Sequence, residues 1–435
     1  MASSVSSPFT TERETDFSDP KNISDFERAL KAVEGNLGRR YPMLIGGADV
    51  TGTRCLASTS PAEPGLTVGE VVDGDASHAI AALTAAEQGF PQWSRTPAQT
   101  RIRYLVEAAE RVRRRRDELS AWMVYEIGKS WSEADGEVAE CIDLFEYYAR
   151  QMQALDGSQT DRLGRLQNER TDFFYIPLGA GVVISPWNFP MALTFGMATA
   201  AIVAGNTVVI KPASNSPVSV LQMAAIFRDI GLPPGVMNVV TGRGSVIGNT
   251  LADHPRTRFV AFTGSLDVGV ALHERVAKVQ PGQVWIKRTI LELGGKNAVV
   301  VDSDADLDAA ADGIVAAAFG FQGQKCSAGS RAITNCTMPL QRLHTPSNRM
   351  TLSTITARPT RGRRPPSSWP APGRNQPRPA VPLVRGRRSV PPRLSRATPD
   401  PARRRSHCAG APRVRAARRC PYTSLRLSLP RMLRR

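Results

Sequence analysis

Four short apolar runs between residues 181 and 263 constrain this chain more than any other feature. They are Gly181-Val182-Val183-Ile184-Ser185, Thr207-Val208-Val209-Ile210-Lys211, Val236-Met237-Asn238-Val239-Val240 and Phe259-Val260-Ala261-Phe262-Thr263. Each is apolar enough to predict a strand covered on both faces. Helical stretches separate them, the first over roughly residues 192–204. Strands of this texture alternating with helices predict an α/β fold with a doubly wound parallel sheet. Such sheets take their ligands at the carboxyl ends of the strands.

The motifs gather at those ends. Pro186-Trp187-Asn188 follows the first strand, and Lys211-Pro212-Ala213-Ser214 closes the second. Thr241-Gly242-Arg243-Gly244 follows the third, with Gly248 four residues on; Thr263-Gly264-Ser265 follows the fourth, with Gly269 five beyond Gly264. Glycine turns leading into helix N-termini can hold a pyrophosphate. Singly, each reads equally well as a structural turn, and none is a full GxGxxG. Their repetition along one sheet is the stronger signal.

Downstream lie Leu291-Glu292-Leu293-Gly294-Gly295-Lys296 and Gly323-Gln324-Lys325-Cys326-Ser327-Ala328-Gly329. They supply a thiol, Cys326, and a carboxylate able to activate water, Glu292. That pair is the minimum equipment for oxidising an aldehyde through a covalent thioester. Cys326 stands among polar residues and glycines, whereas Cys55 and Cys141 read as small hydrophobes.

Residues 1–45 read as a polar arm followed by a helix near residues 25–36. Residues 76–155 are helical, with Ile102, Leu105, Val106, Ala109 and Val112 at three- and four-residue steps. The run Arg113-Arg114-Arg115-Arg116, with Asp117 and Glu118 adjoining, reads as the solvated face of an amphipathic helix rather than a basic patch.

Pro186-Trp187-Asn188-Phe189-Pro190, Lys211-Pro212-Ala213-Ser214, Phe262-Thr263-Gly264-Ser265, Glu292-Leu293-Gly294-Gly295-Lys296 and Gly323-Gln324-Lys325-Cys326 together resemble the aldehyde dehydrogenase superfamily over about residues 40–335. Three further segments resemble its glutamate-γ-semialdehyde (Δ1-pyrroline-5-carboxylate) branch. They are Phe145-Glu146-Tyr147-Tyr148-Ala149-Arg150-Gln151, Gln280-Pro281-Gly282-Gln283, and Phe319-Gly320-Phe321-Gln322 continuing through Arg331. The resemblance implies a Rossmann-like cofactor domain with N-terminal helices over residues 46–290 and the start of a catalytic domain over 291–335. It implies oxidation of L-glutamate γ-semialdehyde to L-glutamate in proline catabolism, with NAD as cofactor. Many NAD-preferring relatives carry Glu at the place of Ser214; a neutral serine there leaves NADP possible.

The resemblance also assigns roles. Cys326 is the nucleophile, and its N–H together with the amide of Asn188 binds the oxyanion, although Asn188 also suits a helix cap. Glu292 is the base. Lys211 reaches the adenosine ribose or a phosphate; Ser214, Gly244, Gly264, Ser265 and Leu293 belong to the cofactor site. Trp187 packs under the cofactor or serves as a core aromatic. Ser327 holds the substrate carboxylate or closes a turn. Apart from the resemblance, Glu146 reads as a partner for a basic side chain or a loop anchor, with a second site carboxylate the alternative. The family is homo-oligomeric, but no oligomerisation strand is recognisable here.

After about residue 335 the resemblance stops, and a Glu-x-Phe-Gly-Pro segment expected of the family is missing. Residues 336–435 hold 24 of the 56 Lys and Arg, all of them Arg, and one of the 39 Asp and Glu, a net of +23 against −6 for residues 1–335. They also hold 17 of the 33 prolines. Such a stretch reads as a disordered tail. Two origins fit it: an arginine-rich arm that grips nucleic acid, or out-of-frame translation of a GC-rich gene. The lack of any Lys favours the second. The catalytic domain is then truncated, and the expectation is an uncovered apolar face and a chain that is unstable, aggregation-prone and inactive or nearly so.

Several classes are not expected. No run is long and apolar enough to span a membrane, and residues 1–8 lack the features of a secretory signal. The six cysteines form no CxxC pair, so no metal site is expected, and their scatter suits a reducing cytoplasm. A small-molecule aldehyde is the expected partner, not nucleic acid.

Overall fold

The computed structural model describes residues 8–159, 169, 171–302, 304–334 and 423–426. The chain opens with helix α1 (Pro20–Glu34) and five short strands, β1 (Arg39–Tyr41), β2 (Met43–Ile45), β3 (Ala48–Val50), β4 (Cys55–Thr59) and β5 (Thr67–Val72). Four helices follow: α2 (Ala76–Trp93), α3 (Ala98–Arg114), α4 (Arg116–Ile127) and α5 (Trp131–Leu155). Then strands and helices alternate: β6 (Ala180–Ile184), α6 (Ala192–Val203), β7 (Thr207–Lys211), α7 (Pro217–Asp229), β8 (Met237–Val239), α8 (Asn249–Asp253), β9 (Phe259–Gly264), α9 (Leu266–Ala277) and β10 (Arg288–Leu293). Last come β11 (Asn297–Val301), α10 (Leu307–Phe319), β12 (Gly329–Thr334) and β13 (Thr423–Arg426). Several helix starts are written locally. Asp19 caps α1 with Pro20 behind it, Asp75 closes a capping box with His78 on α2, and Ser265 caps α9.

The main sheet has seven strands in the order β10-β9-β6-β7-β8-β2-β3. Its first five are parallel, as expected. The last two are not: β2 pairs antiparallel with β8 and with β3, across a turn in which Gly46 and Gly47 take positive φ. Part of the expected N-terminal arm is therefore an edge hairpin. Strands of three residues carry too little period to be read from sequence.

Alternate residues of each central strand feed two cores. Val183, Val208, Ile210, Val239, Phe259 and Ala261 pack with α3, α5, α6 and α7. Val182, Val209, Val240, Val260 and Phe262 pack with α2, α8 and α9. This two-sided burial is why the runs carry no polar alternation. Strand β10 differs: Leu291 and Leu293 join the second core, while Ile290 on its other face is 58% exposed. The chain order runs outward from β6 to β8 on one side and from β9 to β10 on the other. The topological switch therefore lies between β6 and β9, where Asn188 and Gly264 emerge.

The helical layer is held to the sheet by a buried carboxylate. Glu126, at the end of α4, is 1% exposed and accepts from the backbone N–H of Val218 (2.8 Å) and Ser219 (2.7 Å) in the first turn of α7, and from Ser58 Oγ (2.8 Å). Burial raises its pKa above the usual carboxylate value. The arginine run is not the solvated face expected of it. Around a break at Arg115, three of its four members face acids while Arg114 stays exposed: Arg113 pairs with Glu12, Glu110 and Glu146, Arg115 with Glu118, and Arg116 with Asp135. Arg113 and Arg116 thereby tie the N-terminal arm to α5, where Asp135 also accepts from Thr15. Glu146, as expected, pairs with basic side chains, Arg113 and Arg150.

A second sheet runs β11-β12-β13, with β11 and β12 parallel. The changeover between sheets falls in Gly294-Gly295-Lys296, because β10 runs on to Leu293, a few residues past the expected boundary at 290. The expectation of a disordered tail falls almost wholly outside the described residues. Its one described stretch, Thr423–Arg426, is a strand antiparallel to β12, where no regular structure was expected. A free strand edge accepts any extended segment that reaches it. Among the described residues no helix is long and apolar enough to cross a membrane, and no group of three or more His, Cys, Asp and Glu is placed to hold a metal ion.

Replacing Glu126 with Ala orphans two helix N–H groups and a hydroxyl. The expected loss is at least about 2 kcal/mol, read as a lower urea midpoint at unchanged slope. A loss below about 0.5 kcal/mol would contradict this role.

Candidate active site

The turn after β6 and the segment before β12 meet at one place. Asn188 Nδ2 donates to the backbone carbonyl of Gln324 at 2.6 Å, two residues before Cys326. From the other side, Asn297 Nδ2 donates to the carbonyl of Cys326 at 3.2 Å. Gly295 runs close beside it: a Cβ there would lie 3.2 Å from the Cys326 carbonyl oxygen and 2.8 Å from Asn297 Oδ1, so only glycine fits without a shift. The structure thus brings together the Asn188 turn, the Gly294-Gly295 segment and the Cys326 turn. Glu292 lies three residues before Gly295, exposed at the end of β10. Cys326 and Ser327 occupy a turn, with Cys326 half-buried and Ser327 exposed.

The turn leading to Cys326 is strained. Phe321 and Gln322 take φ of 46° and 52°, and such left-handed backbone is costly outside glycine. Packing holds it there. The Phe321 ring is 4% exposed, and its centroid lies 6.1 Å from that of Trp187 and 6.3 Å from that of Phe189. Trp187 therefore packs as an aromatic on the margin of the core, one of the two roles open to it from sequence.

The expected cofactor residues line the neighbouring strand ends. Lys211 is 4% exposed; its recorded partner among the described residues is the Pro212 carbonyl at 2.5 Å. Burial lowers its amine to about 8 from an ordinary 10.5. One carbonyl does not saturate three N–H donors. Gly244 and Gly248 pass alongside, and a Cβ on either would lie 3.9 Å from the Lys211 side chain. These are ordinary contacts to the Lys211 methylenes, so the two glycine segments pack along its side chain. Ser214 is exposed, with its Oγ donating to the Gly242 carbonyl at 3.3 Å. Gly264 ends β9, and Ser265 caps α9 by accepting from Val268 N–H. Leu293 fills the space left by Gly269, where a Cβ would lie 2.4 Å from Leu293 Cδ2.

Residues not singled out from sequence surround these segments. Lys129 and Glu137 form an ion pair at 2.5 Å with both side chains fully buried. Lys325, just before the thiol, pairs with Glu133 at 2.9 Å. Glu133, Glu137, Glu140, Phe189 and Lys325 line one cleft of about 290 Å³. No local pattern marks them: their partners stand up to 192 residues away. Of the other described thiols, Cys141 is buried among apolar residues, and that burial raises its pKa well above the ordinary value. It suits a core role.

A folded-state amine depressed to about 8 binds fewer protons than its unfolded counterpart between pH 8 and 10.5. Lys211 therefore makes the fold more stable as pH rises through that window. Lys211→Met is expected to flatten this rise in urea midpoints measured on either side of pH 8. A variant whose rise matches the wild type would show that Lys211 does not cause it.

The model of the aldehyde dehydrogenase family matches residues 49–341. A 1-pyrroline-5-carboxylate dehydrogenase of Geobacillus thermodenitrificans (strain NG80-2) is 51% identical over 327 residues, which cover 75% of this chain and 63% of the relative. The crystal structure of a 1-pyrroline-5-carboxylate dehydrogenase from Thermus with bound NAD superposes with a TM-score of 0.75 at 43% identity, covering 78% of this chain and 66% of that one. Lactaldehyde dehydrogenase from Escherichia coli superposes at 0.63 and 34% identity, over 68% of this chain and 61% of that one. The chain thus spans less than two thirds of the length of these relatives.

Proposed function

The chain belongs to the aldehyde dehydrogenase family, and on that premise we propose that it oxidises L-glutamate γ-semialdehyde to L-glutamate with NAD, by way of a thioester on Cys326. The observation that carries this reading is the hydrogen bond from Asn188 to the Cys326 turn, with Gly295 against the Cys326 carbonyl. It puts an amide donor beside the thiol segment and brings the chain downstream of Glu292 to the same place. The relatives from Geobacillus and Thermus carry the name 1-pyrroline-5-carboxylate dehydrogenase, which supports the semialdehyde as substrate.

In this reading the Cys326 thiolate adds to the aldehyde carbon. The carbonyl oxygen takes the negative charge and accepts from the Asn188 amide, which exchanges the Gln324 carbonyl for it, and from the Cys326 N–H. A nicotinamide bound at the strand ends would supply the hydride acceptor for oxidation of the thiohemiacetal to a thioester. Glu292 takes a proton from water; the hydroxide adds to the thioester carbon, the C–S bond breaks, and the thiolate returns. Lys211, Ser214, Gly244, Gly264, Ser265 and Leu293 would hold the dinucleotide, with Trp187 flanking it. Below pH 8 the Lys211 amine is charged, which suits a phosphate or ribose. The neutral Ser214 leaves room for NADP. Ser327 would meet the substrate carboxylate. We place the protein in the reducing cytoplasm, consistent with the free Cys55, Cys141 and Cys326, and expect it to self-associate as its family does. A second reading, a dehydrogenase of another small aldehyde, draws on the likeness to lactaldehyde dehydrogenase.

Cys326→Ser is expected to cut turnover more than about 1000-fold, and Asn188→Ala about 100-fold or more. Glu292→Gln should leave a rapid burst of one reduced nicotinamide per chain followed by a slow phase, seen by stopped-flow absorbance with the semialdehyde. Linear formation at the wild-type rate would remove Glu292 from the mechanism, and faster turnover of lactaldehyde than of the semialdehyde would favour the second reading.

A further inference from the structure

We infer that Glu137 and Lys129 are positioning residues that hold the Asn188 turn and the Cys326 turn in one frame. The inference rests on the proposed function and adds to it two residues outside the reacting groups.

One oxygen of Glu137 accepts from the backbone N–H of Met191 (2.8 Å) and of Ala192 (3.0 Å), where α6 begins. Its other oxygen accepts from Lys129 Nζ at 2.5 Å. Met191 is three residues from Asn188, so a carboxylate borne on α5 fixes the far end of the Asn188 turn. The same ammonium lies 3.6 Å from the ring centroid of Phe189 and 5.0 Å from that of Phe321. Phe189 adjoins Asn188, and Phe321 opens the strained turn that ends at Cys326. One cation therefore faces one ring from each segment. Glu133, one helical turn before Glu137, repeats the device with Lys325, the residue preceding the thiol.

The pair is placed for geometry rather than for stability. A fully buried ion pair contributes little net stability compared with apolar residues of the same volume. Apolar residues, however, cannot hold two N–H groups and two ring faces at fixed separations. In catalysis that fixing matters, since a shift of about 1 Å in a reacting group can cost about 100-fold in rate.

Full-length wild-type, Glu137→Gln, Lys129→Met and Lys129→Arg proteins would be compared in steady-state turnover of the semialdehyde and in hydrogen exchange followed by mass spectrometry. The expected result for Glu137→Gln and Lys129→Met is a fall in kcat of about 100-fold with little change in KM, joined by faster exchange in residues 187–196 and 319–328 together. Strand β7 and helix α3 should keep their protection. Lys129→Arg, which can keep the pair, should recover most of the rate. Wild-type kcat in either of the first two variants overturns the inference. So does exchange in those two variants that rises evenly across the chain, since that would mark a role in folding alone. If the wild-type chain oxidises no aldehyde, the functional reading fails. The inference is then decided by exchange alone: coupled deprotection of the two segments supports it, and deprotection of one without the other refutes it.

Discussion

Two buried carboxylates from the helical layer, Glu126 and Glu137, each accept a pair of N–H groups from the start of a neighbouring helix on the same face of the sheet. The rest of the site depends on them. Glu126 fixes the start of α7, and so the turn from Lys211 through Ser214. Glu137 fixes the start of α6, and so the turn that bears Asn188. A helix N-terminus presents unpaired donors and partial positive charge, so a carboxylate placed there satisfies backbone groups that would otherwise be orphaned in the core. The loops that bear the candidate residues are thereby anchored at both ends: by a sheet strand behind them and by a side chain from a neighbouring helix ahead.

The site combines that rigid frame with local strain. The backbone of Phe321 and Gln322 persists in the left-handed region because the Phe321 ring is enclosed by Trp187, Phe189 and the Lys129 ammonium. Gly295 approaches the Cys326 carbonyl so closely that a larger residue would have to displace it or the Asn297 side chain. Strain at the thiol turn and stability in the five parallel strands are two sides of one arrangement: the strands supply the burial that holds the turn in place.

Much of this was legible in the sequence for physical reasons. Val182-Val183 and Val208-Val209-Ile210 are apolar without alternation because they feed two cores, and that continuity is what announces a parallel sheet. The turns bearing Asn188, Lys211 and Gly264 were legible because glycine, proline and polar residues at strand ends stand out against apolar neighbours. The hairpin of β2 and β3 was not, because three residues set no period. Nor were Lys129, just before the 25-residue helix α5, and Glu133 and Glu137 upon it: no local pattern sets them apart, and their contacts come in part from residues 54 to 192 positions away. The arginine run misled in part for the same reason: Glu110 and Glu118 are local partners, but Glu12, Glu146 and Asp135 come from the N-terminal arm and from α5.

The central claim is that the assembled turns make Cys326 the covalent centre of aldehyde oxidation. Its most direct test is to mix the full chain with NAD and the semialdehyde, quench in acid within the first turnover, and map the protein's mass by peptide. The account predicts a glutamyl adduct on the peptide containing Cys326, dependent on NAD for its oxidation state. A folded chain whose Cys326 stays unmodified, or an adduct on Cys55 or Cys141 instead, would contradict it.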